Sequence, residues 1–138
     1  MTLKQGFSLT ELLIAVIVIG IIAAVAVPQY SISSERSRGG EAKSGLFRIQ
    51  AGEKVYFAKN GEYLTTAIAA DSMSPAEIGS LDIMLDQTNW KYTITSANKY
   101  QEHLITATRV SGLVANTTIM MDQDGHMGGS WQGAVDSL

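Results

Sequence analysis

Residues Leu12–Val27 form an unbroken run of sixteen apolar or glycine residues near the start of a 138-residue chain, and a single carboxylate, Glu11, stands at its front edge. With Phe7, Ser8, Leu9 and Thr10 included, the stretch Phe7–Val27 has 21 residues. As a helix it measures about 31 Å, enough to cross a bilayer's hydrocarbon core. An ionised side chain within such a segment costs about 2.5–3.5 kcal/mol near the centre and less near an end, so it usually has a partner. Neither a solvent-facing helix nor a plain lipid anchor explains Glu11 cheaply.

Hydrophobic residues make up 46% of the chain, most densely in the first thirty positions. That leaves room for one membrane-length segment and one small soluble domain. Net charge is −3, from ten basic and thirteen acidic side chains. The longest basic cluster is Glu35-Arg36-Ser37-Arg38, so charge alone indicates no dedicated nucleic-acid surface. With no cysteine, disulfide staples and thiolate metal sites are excluded.

A secretory signal places its small-residue cleavage site after an apolar stretch of about 7–15 residues. Ala24-Val25-Ala26 could pass for a weak site of that kind. The more pointed pattern lies ahead of the run, in Lys4-Gln5-Gly6-Phe7-Ser8-Leu9-Thr10-Glu11-Leu12-Leu13-Ile14, continuing to Pro28 and Tyr30. At these residues the chain resembles the type IV prepilins. The resemblance implies cleavage after Gly6 by a prepilin peptidase on the cytoplasmic side and N-methylation of Phe7. Glu11 then falls five residues into the mature chain, at the family's glutamate position.

Cleavage at that point keeps the apolar run as anchor and packing surface. It also creates an amine at Phe7, about 6 Å along a helix from Glu11. A carboxylate with an opposite charge beside it is retained in ionised form in a low-dielectric setting. In the family this pairing is thought to join neighbouring subunits, which makes Glu11 a register device in assembly. A residue snorkelling to the headgroups is the plainer alternative. Lys4 on one flank and Arg36, Arg38 and Lys43 on the other give no orientation vote, so an inside amino terminus rests on the resemblance.

Pro28 removes one helical hydrogen bond, and Gly20 with Val16-Ile17-Val18-Ile19 weakens helix propensity. Bending or local melting is expected over 20–28 outside lipid, with a plain proline kink as the alternative. Residues 31–58 read as a continuing helix with a stripe of Ala42, Leu46, Ile49, Gly52 and Tyr56. Phe47, Val55 and Phe57 are expected to broaden that stripe. Glu35, Arg36, Arg38, Glu41, Lys43, Arg48, Glu53 and Lys54 are expected on the other faces, and Gly39-Gly40 as a weak point. Lys59-Asn60-Gly61 ends the helix.

Residues 62–88 read as a loop with a short helix at about 75–80, started by Ser74-Pro75-Ala76-Glu77. Trp90–Ala97, His103–Val110 and Thr117–Asp122 are strand candidates, joined by turns at Asn98-Lys99 and Ser111-Gly112. Their short spacing favours an antiparallel meander. The resemblance implies an α+β pilin fold, a long N-terminal helix on a small antiparallel sheet head. Its hydrophobic half is transmembrane and its second half amphipathic. It divides the chain into a leader 1–6, an assembly helix 7–30 and a head 31–138.

Asp122 and Asp124, with Gly125, look like the opening of a calcium loop, and Asp136 or backbone carbonyls could complete it. A β-turn explains the same residues, and no EF-hand glutamate follows. Related secretion pseudopilins bind calcium in a C-terminal loop; no other cofactor is called for. His126 could add a minor ligand, although a solvent-facing loop histidine accounts for it. Gly128-Gly129-Ser130-Trp131 is read as having no helix after it, which argues against a phosphate loop. The ten aromatics most simply fill a core and an interface. No nucleophile, base and orienter can be assembled, so an enzyme is not expected.

The resemblance implies a pilus subunit, held in the inner membrane as precursor and then displayed in a helical surface filament of its own copies. Its implied partners are the peptidase, the assembly machinery and, before assembly, the membrane. Two further readings stay open. One is a periplasmic pseudopilin of a type II secretion system, the other a DNA-uptake or adhesive minor pilin. Usual pilins close a C-terminal loop with a disulfide; this chain must hold residues 112–138 otherwise.

Overall fold

A computed structural model describes residues 7–66 and 70–138. The chain divides into two compact units, one ending at Ser34 and the other running Glu35–Leu138. Helix α1, Leu9–Asn60, contributes to both.

In the first unit α1 begins at a capping box. Ser8 Oγ accepts the Glu11 N–H at 3.2 Å, and Glu11 Oε2 accepts the Ser8 N–H at 2.9 Å. Two of the donors that every helix start leaves unpaired are thereby satisfied reciprocally. The helix continues through 20–28 with Pro28 inside it, so the melting expected there is not what this state shows. Pro28 lacks one N–H, and its carbonyl takes an extra hydrogen bond from Ser31 Oγ at 2.8 Å.

In the second unit α1 lays Ala42, Leu46 and Ile49 against an antiparallel sheet, all three fully buried. The sheet is a meander, ordered β1 (Trp90–Thr95), β2 (Leu104–Arg109), β3 (Thr118–Asp122) and β4 (Met127–Gly128). Alternation along β1 sends Trp90, Tyr92 and Ile94 inward, and the register sets Ile94 opposite Ile105 and Ile105 opposite Met121. The outer edge of β1 is covered by the preceding loop. The N–H groups of Thr66 and Met73 donate to Ile94 O and Tyr92 O at 2.9 and 2.7 Å. An edge paired in this way is closed to other chains.

Helix α2, Pro75–Ser80, starts at a second capping box, between Ser74 and Glu77. Strand β4 and helix α3, Trp131–Asp136, were not expected from the sequence. The reading that no helix follows Gly128-Gly129-Ser130 is therefore corrected. Helix α3 is short and lacks a side-chain cap bond, so local signals were weak; tertiary packing of Trp131 and Val135 holds it. This also answers how a cysteine-free C-terminal segment is held. Trp131 meets Trp90 edge-on at 6.1 Å, Ser130 Oγ accepts the Thr118 N–H at 3.2 Å, and Gln50 Nε2 donates to Gln123 O at 3.2 Å.

Three further expectations for α1 need correction. Phe47 and Val55 do not broaden the core stripe; they are half exposed, because the sheet covers only one side of the helix. Glu35 and Glu53 are buried rather than solvent-facing. Gly39 is a packing site rather than a weak point, since any Cβ there would collide with the Trp131 ring. Gly45 is likewise overlain by the Tyr92 ring and hydroxyl.

Candidate functional site

The first unit carries a surface that nothing within it covers. Every large apolar side chain from Phe7 to Val27 is exposed, Phe7 at 90%, and α1 is long and apolar enough to cross a membrane. An exposed apolar patch of this size marks a membrane or protein interaction surface.

Of the residues singled out for processing and assembly, Gly6 lies outside the described residues. Phe7 precedes the helix and Pro28 lies within it. Glu11 is at the third helical position, where its carboxylate is already a cap for its own helix. The sequence signal for this was present in Ser8-Leu9-Thr10-Glu11, a serine followed three residues later by glutamate.

In the second unit the structure brings together Asp122, Asp124 and His126, with one ligand atom of each within 4.8 Å of the others. Asp136 is not among them; its carboxylate accepts from Gln132 Nε2 at 3.0 and 3.1 Å. The Asp122 carboxylate is engaged in the turn. Its Oδ1 accepts the N–H groups of Asp124 and His126 at 3.0 and 2.9 Å, and its Oδ2 lies 3.0 Å from His126 Nδ1. Burial raises the Asp122 carboxyl, but the His126 and Asp124 bonds outweigh it and hold the group below its ordinary value. Calcium takes 6–8 oxygen ligands, more than these three residues offer.

The burial of Glu35, Arg109 and Glu53 was not expected from the sequence. Arg109, with no exposed surface, forks onto Glu35 through Nε and Nη2 at 3.1 and 3.2 Å, while Arg38 Nη1 reaches Glu35 Oε1 at 2.8 Å. Arg109 Nη1 donates to Asn89 O at 2.8 Å, and its guanidinium lies 5.7 Å from the Trp90 ring centre. Burial alone would raise the Glu35 carboxyl; the two guanidiniums overcome that and lower it. Glu53 has no such help. It is fully buried, accepts only the Leu64 N–H at 3.0 Å, and leaves Oε1 without a partner among the described residues. Burial pushes its carboxyl up to about 7. The His103 ring, tilted against that of Tyr63 with centres 4.4 Å apart, has its ionisation suppressed, first by burial and then by Lys54. These groups are held in the interior of the head.

Comparison with known proteins gives a consistent picture. Residues 1–27 match the family model of the prokaryotic N-terminal methylation motif. The chain is 39% identical over 60 residues to the type IV major pilin protein PilA of Myxococcus xanthus, covering 44% of this chain and 27% of that protein. It is 30% identical over 111 residues to a fimbrial protein of Neisseria meningitidis, covering 80% of this chain and 65% of that one. To the type IV major fimbrial protein FimA of Dichelobacter nodosus it is 42% identical over 59 residues, or 43% of this chain and 34% of that protein. The chain thus spans less than two thirds of the length of these relatives. No solved structure matches it.

Proposed function

We propose that this chain, type IV prepilin-like by its N-terminal motif and its relatives, is a structural subunit of a type IV pilus. The observation that carries the reading is the uncovered apolar helix from Phe7 to Val27, joined to a separately folded head. One surface serves two environments in turn. In the inner membrane lipid covers it; in the filament the same residues of neighbouring copies cover one another. Both exchanges keep apolar area out of water, at about 25 cal/mol per Å². The head buries its own core and stays folded throughout.

Cleavage between Gly6 and Phe7 by a prepilin peptidase leaves the apolar helix on the mature chain and creates an amine beside the Ser8–Glu11 cap. The pairing of Glu11 with the Phe7 amine of a neighbouring copy fixes register. The role is structural rather than catalytic. Electron microscopy of cells with and without the chain tests the reading. Surface filaments that vanish with the chain and return on its re-expression support it, whereas an unchanged filament count contradicts it.

A further inference from the structure

Charge is segregated along the chain. Six of its ten lysines and arginines lie between 36 and 59, and nine of its thirteen carboxylates lie beyond 60. The exposed side of α1 collects the first group: Lys43, Arg48, Lys54 and Lys59 are exposed there, around the half-exposed Phe47 and Val55. Of the carboxylates between 41 and 60, Glu53 is buried, while Glu41 bonds Asn89 at 3.2 Å and shares a cleft with Arg48 and Asp86. The result is an apolar strip with Lys43 and Lys54 beside it, on a chain of net charge −3.

A complementary feature lies on the other side of the head. Thr95, Leu104 and Asp122 form one row across the sheet, next to the buried row Ile94, Ile105 and Met121 that faces α1. Alternation therefore turns the first row away from α1. There a depression of about 570 Å³ is lined by Glu102, His103 and Asp122 with Thr95, Ser96 and Leu104, and no lysine or arginine lines it.

We infer that a second copy of this chain docks on the exposed side of α1, presenting the acidic depression edged by Glu102 to Lys54 and the strip of Phe47 and Val55. The two surfaces differ and lie on opposite faces of the head, so the contact is head-to-tail. Such a contact propagates rather than closing on itself as a pair. Opposed charge supplies the steering and the register, and the apolar strip is covered in the contact. The inference rests on the subunit reading above and adds to it which faces of the head meet.

The cysteine-free background makes the test direct. The full chain carrying Lys54→Cys and Glu102→Cys is assembled in cells, and its filaments are treated with a short bis-maleimide. A ladder of dimers, trimers and higher species on denaturing gels is expected, with monomer alone from either single variant. In parallel, Lys54→Glu is expected to lower filament number at least tenfold, and adding Glu102→Lys to restore at least half. Circular dichroism of each variant checks that the head is folded. An absent ladder, an undiminished Lys54→Glu count or a failed rescue each overturns the contact, and loss of filaments without a ladder assigns the basic face to another acidic partner. Filaments that form without a ladder leave the subunit reading standing. A wild-type chain that makes no filaments overturns both.

Discussion

Glu11 and Ser8 cap one another. The carboxylate takes the Ser8 N–H at 2.9 Å while the serine hydroxyl takes the Glu11 N–H at 3.2 Å. The one carboxylate beside the apolar run thus has a use within its own chain before any neighbour arrives. The two uses are separable, because glutamine caps as glutamate does but carries no charge. Glu11→Gln is expected to leave the chain membrane-inserted and helical while reducing filament number severalfold. Glu11→Ala loses the cap as well, at about 1 kcal/mol of helix stability. Normal filament numbers from Glu11→Gln would leave capping as the residue's whole role.

The Glu35–Arg109 fork is buried on both sides. Removing one partner of such a pair costs about 3–5 kcal/mol, because the other charge stays buried and alone. Arg109→Met is expected to lower the melting temperature strongly, and Glu35→Met added to it to recover much of the loss. Below pH 4 the wild type should weaken as well. The lowered carboxyl of Glu35 stabilises above its unfolded value, and that contribution is lost as pH falls through the folded one.

Glu53 works in the opposite sense. Its folded value, about 7, lies above the ordinary 4.5. Its contribution is therefore full below pH 4.5 and is lost as pH rises towards 7, by about 2–3 kcal/mol. His103, whose ionisation is suppressed, gains stability over part of the same range. The difference between wild type and Glu53→Gln isolates the carboxyl. Denaturant melts at pH 5 and pH 8 should show the variant gaining on the wild type as pH rises; parallel curves would contradict this.

Adjacent glycines in α1 are expected to respond with opposite signs. A Cβ on Gly39 meets the Trp131 ring, whereas one on Gly40 meets nothing within 4 Å. Gly40→Ala should stabilise by about 0.5–1 kcal/mol through helix propensity. Gly39→Ala should destabilise by about 1–3 kcal/mol, as overpacking does. Thermal melts of both variants in detergent decide this.

Calcium at Asp122 and Asp124 would compete for carboxylate oxygens that Gln123, His126 and the turn's own N–H groups already engage. Millimolar calcium and its removal by chelator are expected to leave the melting temperature unchanged. A rise of several degrees with calcium would establish the ion.

The long helix, the loop helix and the three long strands were legible because each is written locally. Ala42, Leu46 and Ile49 keep helical spacing, Ser74 and Glu77 form a capping box, and Trp90, Tyr92 and Ile94 alternate. What was not legible depends on partners distant in sequence. Gly39 looks like a helix breaker until Trp131 is folded onto it. Glu35 looks like a surface charge until Arg109, on the second strand, reaches it. Phe47 and Val55 fit the apolar stripe by spacing, and only the sheet's extent shows that nothing in the head covers them. At the amino terminus the Gly6–Phe7 junction and Glu11 were legible as a motif, and the Ser8-Leu9-Thr10-Glu11 spacing that overlaps it also writes the capping box.

As a filament's building block, the mature chain carries its apolar helix into the assembly. Mass spectrometry of filaments sheared from the cell surface tests it most directly. This chain is expected as a constituent, with an amino-terminal peptide that begins at N-methylated Phe7. Filaments lacking the chain, or containing it with residues 1–6 still attached, would contradict it.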